Sequence, residues 1–506
     1  MTTFAHWNVR PLDVSVRGNL LVNIRTVNLR AGAKKNSRSS FSSSSSSFCS
    51  SHSLQRYAKF GSSSASRCSK LHRGGVRPIG QEQQQQQQQQ QKHWSSEEEV
   101  VMAVAMAGCA AAAAHAAPLK LEKVVLTKEH LSLATEAMDK FIATIQDHPD
   151  QREDATPYYL LHKQGEYVYG TVLMFHGFSA TTGQMALLAQ YLFENGFNVY
   201  QPALRGHYFN KPAKYWPSVH MKPGLKETVQ EKLMADPQFS AIINNFKSVV
   251  QLTTEQINIT RERVSLDYPE LDQAINDDNF TKAFYTWFES QHLDYLHEAE
   301  ARLQEVNALP GPVFTVGLSM GGAVSLALAA LHPDKIAKTA IFSPLLKVKD
   351  QKIREFCQLA GQFGAQECWW YPEMPFPLSC FVAVDVFSRF VSSKNLIDVL
   401  AKKIPTLAVF TEIDDVADVT IGQKFFADLC SIAGNEGPPH LSSTYTTAEK
   451  VPHPMVNPTE VSQCTTNRYW NALYQETFRF LTQGTIVAEN LHKLSQDPDL
   501  PQVHPL

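Results

Sequence analysis

The sequence predicts an α/β fold, of the kind with a mostly parallel central sheet, helices on both faces and a lid formed by long insertions. Three observations carry that expectation. Short, continuously apolar runs stop at glycine or polar residues, as strands buried on both faces do. Each run is followed by a stretch with helical periodicity. Two connections, 208–280 and 345–403, are too long for simple loops and read as a lid or cap.

Taken in order, residues 122–147 predict a helix with Leu131, Leu133, Ala134, Met138, Phe141 and Ile142 on its apolar face. "YYLLH" and "EYVYG" predict two short strands around a Gln164–Gly165 turn. "GTVLMFHGF" predicts a buried strand, "TGQMALLAQYLFENG" a helix ending at glycine, and "FNVYQPALRGH" the next strand. The first insertion contains "SAIINNFKSVVQLT" and reads as partly helical. "PVFTV", "KTAIFSP" and "PTLAVFTEID" continue the series, each with a helix to follow. The second insertion contains "CWWYPEMPFPLSCF", dense in aromatics and proline. "SSTYT" is the last short strand and "NRYWNALYQETFRFLTQ" the last helix. The expected organisation is a leader over 1–118, a helical segment over 119–156, the α/β domain over 157–485 and a tail over 486–506.

The leader does not read as a fold. A serine run between Arg38 and Leu54 and the glutamine tract 81–91 are low in complexity and bury too little apolar surface to offset chain entropy. Residues 1–80 hold thirteen Lys or Arg and one acid, Asp13, the composition of an organellar transit peptide. The serine bias points to the chloroplast stroma, with the mitochondrion as the alternative. The apolar stretch 100–118 ends in an A-x-A pattern that would suit a second, thylakoid-lumen signal, but it follows Glu97, Glu98 and Glu99. It is mostly alanine and contains His115, a poor transmembrane helix. No transmembrane segment is expected; peripheral membrane contact is compatible with the sequence.

The net charge of −3 gives no reason to expect nucleic acid as a partner. Beyond the leader lie Cys357, Cys368, Cys380, Cys430 and Cys464, odd in number and without C-x-x-C spacing. They predict neither a metal site nor a disulfide framework, and free buried thiols rather than a Cys368–Cys380 pair.

Between "VFTV" and an alanine-rich helix stands Gly317-Leu318-Ser319-Met320-Gly321. A tight strand-to-helix turn strains the serine, demands small residues at −2 and +2, and sets the hydroxyl above the sheet at a helix N-terminus. A serine hydroxyl is a poor nucleophile and needs a base, which in turn needs an orienting carboxylate. In this architecture the acid follows a later strand and the base comes last. "TEIDDVADV" offers Asp414, with Asp415, Asp418 and Glu412 as rivals, and Asp418 also suits a helix cap. "AEKVPHPMVNP" offers His453; His440 is placed before the last strand and is the rival. Two backbone amides must face the developing oxyanion: that of Met320 and, from the loop "FHGFSATTG", that of Phe178. His176 reads as structural, and Gly177 as the residue that frees the turn.

Together, "HGF", "PALRGH", "GLSMGG", "FTEIDDVAD" and "VPHP" resemble the α/β-hydrolase superfamily, in its monoglyceride lipase, lysophospholipase and serine-aminopeptidase-like branch. The resemblance covers about residues 157–485, with both insertions unmatched. It implies Ser319 as nucleophile, Asp414 as acid, His453 as base, and Phe178 and Met320 as oxyanion donors, with no metal or cofactor. The chain departs from the branch at Ala203, where an acid is usual, at Tyr208, where glycine is usual, and at Thr411. The expected activity is cleavage of a small-molecule or lipid-like carboxylic ester. Trp369, Trp370, Tyr371 and Phe376, with Phe381, are candidates for an acyl pocket. An acyltransferase on the same residues, a peptidase, and a non-catalytic ligand-binding protein are the alternatives.

Overall fold

The structure, a computed structural model, describes residues 121–277, 282–367 and 374–495. The expected leader 1–118, the pocket candidates Trp369, Trp370 and Tyr371, and residues 496–506 of the expected tail lie outside the described residues.

Seven strands form the central sheet: β1 (Tyr158–Leu160), β2 (Thr171–Phe175), β3 (Asn198–Gln201), β4 (Val313–Leu318), β5 (Ile336–Phe342), β6 (Thr406–Thr411) and β7 (His440–Tyr445). Their spatial order is β7-β6-β5-β4-β2-β3-β1. All neighbours are parallel except the edge strand β1, which runs antiparallel to β3. Six helices flank the sheet or lead into it: α1 (Lys128–Gln146), α2 (Ala186–Glu194), α3 (Asp294–Glu305), α4 (Met320–Leu331), α5 (Val419–Ala433) and α6 (Trp470–Gln483).

The apolar runs are strands because both faces of the sheet are covered. Along β2, Val172 and Met174 join the core under α2 and α6, while Leu173 and Phe175 join the core on the opposite face. In β6, Leu407 and Val409 point to the first core, Ala408 and Phe410 to the second. This period of two lets one unbroken apolar run serve two layers. Because the strands are parallel, the loops after β2, β4, β6 and β7 emerge at one end of the sheet, where ligands of open α/β folds bind.

The two insertions form one cap. Among the described residues the first contributes five helices, Pro212–Tyr215, Leu225–Met234, Pro237–Asn244, Thr254–Asp267 and Pro269–Ile275, with Lys282–Trp287 just beyond it, so it is more helical than expected. The second contributes the helices Gln351–Ala360, Leu378–Val391 and Lys394–Lys403. Polar bonds join them: Gln362 accepts from the Met221 amide at 2.6 Å and donates to the Val219 carbonyl at 2.9 Å. Glu367 accepts from the Val249 amide at 2.7 Å. Such bonds hold backbone groups that burial would otherwise leave unsatisfied.

Several expectations need correction. Both strands expected around Gln164–Gly165 form, in different sheets: Tyr158–Leu160 adds to the central sheet, and Tyr167–Val168 pairs antiparallel with Val124–Val125. The first helix begins at Lys128, because Thr127 caps it and Val124–Val125 are held in that small ribbon. Cys357 and Cys380 are free and buried and Cys464 free and exposed, but Cys430 is disulfide-bonded, against the expectation of free thiols. Its partner is none of these three. The expected tail is anchored in part: Leu491 is fully buried, and the Ser495 amide bonds the Arg468 carbonyl at 2.9 Å.

Candidate active site

Ser319 joins β4 to α4 with φ 56° and ψ −120°. That region costs a non-glycine residue about 1–3 kcal/mol, so the surrounding structure must hold it there. The Ser319 amide donates to the Phe342 carbonyl at 2.9 Å, and its carbonyl accepts from Leu345 at 3.0 Å. Its side chain does not cap α4. A Cβ at Gly317 would stand 2.1 Å from the Gly321 carbonyl oxygen, and one at Gly321 would stand 2.0 Å from that of Phe175. Both contacts are with backbone that cannot step aside. Gly321→Ala is therefore expected to cost about 3 kcal/mol or more, read as a fall in the urea midpoint; an unchanged midpoint would show that the elbow tolerates a side chain.

Asp414 follows β6 and is buried. Its Oδ1 accepts from the amides of Val416 at 2.9 Å and Ala417 at 2.8 Å, a turn made by its own backbone. Both carboxylate oxygens lie within bonding range of His453 Nδ1, at 2.9 and 2.8 Å. Nδ1–H therefore donates to Asp414, leaving Nε2 as the acceptor nitrogen. His453 follows β7 on a loop tied down by Tyr474, whose hydroxyl bonds the Val456 carbonyl at 2.6 Å, and by Asn467, which bonds the Met455 carbonyl at 2.8 Å. Burial pulls the imidazole pKa down, but the Asp414 charge and hydrogen bond, with help from Asp415 and Glu460, outweigh it and raise the pKa above the ordinary value. Burial likewise pushes Asp414 up, and the imidazole and two amides outweigh that, leaving it low.

The rivals stand elsewhere. Asp415 is exposed. Asp418 caps α5 by accepting from Thr420 and Ile421. Glu412 accepts from Thr447 at 2.6 Å. His440 opens β7, rather than preceding it, and its Nε2 bonds the Ala401 carbonyl at 3.1 Å.

The loop after β2 lies against the serine: a Cβ on Gly177 would be 3.4 Å from Ser319 Cβ and 3.1 Å from Gln184 Oε1. Gly177 does not adopt a left-handed backbone; a Cβ there would be in ordinary contact with Ser319 and tight against the end of the Gln184 side chain, and the positive φ, 60°, falls on Ser179. His176 Nδ1–H donates to the Gly177 carbonyl at 2.8 Å, and its Nε2 accepts from the Leu204 amide at 3.1 Å. In a trans peptide the carbonyl and the next N–H point opposite ways. Holding the Gly177 oxygen with His176 therefore aims the Phe178 N–H away from it. His207 secures the next residue, its Nε2 accepting from the Ser179 amide at 3.1 Å. Burial keeps both rings neutral, His176 at about 3 and His207 well below its ordinary value, so each can accept with one nitrogen. Met320 is the first residue of α4, and its N–H has no acceptor within the helix.

Phe178 is also where the cap meets the body. Its ring is 5.2 Å from Trp216 of the first insertion, and 5.1 Å from Phe376 and 6.1 Å from Phe381 of the second. Trp216 stacks on His207 at 3.9 Å. Phe376 is thus beside the loop, fully buried in the apolar core. Trp216, His207, Gln184 and Glu460 were not singled out from sequence. "RGH" carried a signal for His207, whereas nothing local distinguishes the others.

Residues 170–358 match the protein family described as alpha/beta hydrolase fold. This is an α/β-hydrolase fold. The match spans β2 to the first helix of the second insertion and includes the Ser319 elbow, and the sheet order and parallel pairing agree with it. No curated protein matches the chain. Among solved structures, this chain is similar to a metagenome-derived lipolytic enzyme from a study of LipS and LipT (14% identity, 65% of this chain and 98% of that one, TM-score 0.38). It is also similar to a soluble variant of monoglyceride lipase from Saccharomyces cerevisiae (15%, 67% and 99%, TM-score 0.38) and to a monoacylglycerol lipase from Paleococcus ferrophilus (14%, 62% and 93%, TM-score 0.34). Likenesses this distant carry no argument about substrate. Among the described residues there is no cluster of three potential metal ligands and no helix long and apolar enough to cross a membrane.

Proposed function

We propose that the chain is a serine hydrolase of carboxylic esters, acting on a lipid-like acyl substrate through Ser319, His453 and Asp414. The observation that carries this reading is the strained Ser319 at the carboxyl end of β4, together with a buried His453–Asp414 pair after β6 and β7 at the same end of the sheet. In this reading His453 Nε2 takes the Ser319 proton as Oγ attacks the acyl carbon. The Phe178 and Met320 amides hold the oxyanion, and the imidazolium then returns its proton to the leaving alcohol. Water, activated by the same nitrogen, releases the acid from the acyl-enzyme. The apolar rings of Trp216, Phe376 and Phe381 around Phe178 support an acyl chain as the group recognised.

Initial rates of the full chain on p-nitrophenyl esters of graded length test the reading. The expected result is kcat/KM rising from acetate to chains of about eight carbons or more, since each buried methylene adds about 0.8 kcal/mol. A maximum at acetate would overturn the lipid-like part. No turnover at any length, with no fluorophosphonate labelling, would overturn the whole.

A further inference from the structure

Two side chains beside the candidate triad take no part in the mechanism above. Gln184 lies in the short 3-10 turn Thr182–Met185 that follows the Phe178 loop, and it is buried. Its Oε1 accepts from the Gly177 amide at 2.8 Å. Its Nε2 donates to both oxygens of Glu460, each at 3.2 Å. Glu460 sits seven residues beyond His453, on the loop that carries the imidazole, and its charge and that of His453 attract each other. A continuous path thus runs from the histidine loop, through one carboxylate and one amide, to the peptide that precedes the Phe178 N–H.

We propose that Gln184 and Glu460 are positioning residues, a brace that fixes the Phe178 oxyanion donor relative to the His453 loop. The proposal rests on the hydrolase reading and deepens it. His176 holds the carbonyl side of the Gly177–Phe178 peptide, and Gln184 holds Gly177 from its amide side. The Gly177 amide belongs to the preceding peptide and the Gly177 carbonyl to this one, so the two bonds together fix the Gly177 ψ angle, and the donor direction is set before substrate arrives. The amide side chain is the right chemistry for the link. A carboxylate in its place would set a negative charge next to the developing oxyanion, while Gln184 passes on the hold of Glu460 without its charge. Burial pushes the Glu460 carboxyl up to about 7, against the pull of Gln184 and His453, so its charge is present in full only on the alkaline side. The other charged groups acting on this imidazole are Asp414 and Asp415.

The test is steady-state kinetics of the full chain on a p-nitrophenyl ester, with melting temperatures measured alongside. Losing one oxyanion donor costs about 10²–10³ in kcat, so misaiming one is expected to cost about 10–30-fold. Gln184→Ala and Glu460→Ala should each show that loss with KM changed by less than about twofold, since the donor acts on the transition state rather than on the bound ester. Glu460→Gln keeps an acceptor for Gln184 Nε2 and should stay within about threefold of the parent. The double alanine variant should be no worse than the poorer single variant, because both cut one path. Multiplying losses, losses confined to KM, or Gln184→Ala with parental kcat would overturn the brace while leaving the hydrolase reading intact. A parent that neither turns over nor labels would overturn both. If Glu460→Ala fails to fold, Gln184→Glu carries the test. It keeps the acceptor for Gly177 but faces Glu460 with a second carboxylate, so kcat must fall further at about pH 8.5 than at about pH 6. An equal loss at both would overturn the proposal.

Discussion

Ser319→Ala is expected to remove nearly all ester turnover, with kcat falling by about 10⁶-fold. The size follows from the role. The serine supplies the only atom that would form a bond with the substrate, and its neighbours cannot replace it: Leu318 and Met320 are buried apolar side chains. The alanine keeps the Cβ, so the hydrogen bonds of the 319 backbone to Phe342 and Leu345 stay in place. Stability should change little, and the urea midpoint of the variant should match the parent. Fluorophosphonate labelling should disappear with the activity. A variant that retains more than about one part in a hundred of parental turnover would place the nucleophile elsewhere.

Asp414→Asn should follow, with a fall of about 10⁴-fold in kcat. An asparagine fits the same volume and its oxygen can still meet the Val416 and Ala417 amides, so the turn survives. What is lost is the charge that fixes the His453 tautomer and stabilises the imidazolium. The pH profile carries a second, independent sign. The base must be neutral to accept the serine proton, and its pKa is raised above the ordinary histidine value chiefly by Asp414, against the downward pull of burial. Parental activity should therefore climb with pH through an acid limb lying above about 6.5. Without the Asp414 charge, burial prevails and the limb moves to lower pH. Asp415→Asn is the control: Asp415 is exposed and acts on the imidazole only at a distance, so its kcat should stay within about threefold. Equal losses in the two variants, or a limb that does not move in Asp414→Asn, would break the assignment.

Much of this was legible in the residues in order. The buried strands announce themselves because an apolar run with glycine at its end has few other ways to be satisfied, and a helix after each strand leaves a parallel sheet as the simplest outcome. The Ser319 elbow was legible for a local reason: the −2 and +2 positions must be glycine when a carbonyl stands about 2 Å from where a Cβ would be. Asp418 as a helix cap was readable in the same way, since a cap is a contact between near neighbours in the chain.

What the chain order left open was decided by contacts between distant segments. Asp414 and Asp415 are adjacent in sequence, and only the arrival of the His453 loop at one of them distinguishes the two. Tyr158–Leu160 joins the edge of the central sheet while Tyr167–Val168 pairs with Val124–Val125, and only the folded chain shows which partner each of these strands finds. Gln184 and Glu460 stand 276 residues apart and carry no motif, so no local pattern could pair them. The sequence by itself determined the sheet, the elbow and the order of the candidate nucleophile, acid and base, because periodicity and steric exclusion act within a few residues. The tertiary structure alone decided which carboxylate faces the imidazole, how the two insertions pack against Phe178, and what holds the loop after β2, because hydrogen bonds and burial depend on which surfaces meet once the chain has folded.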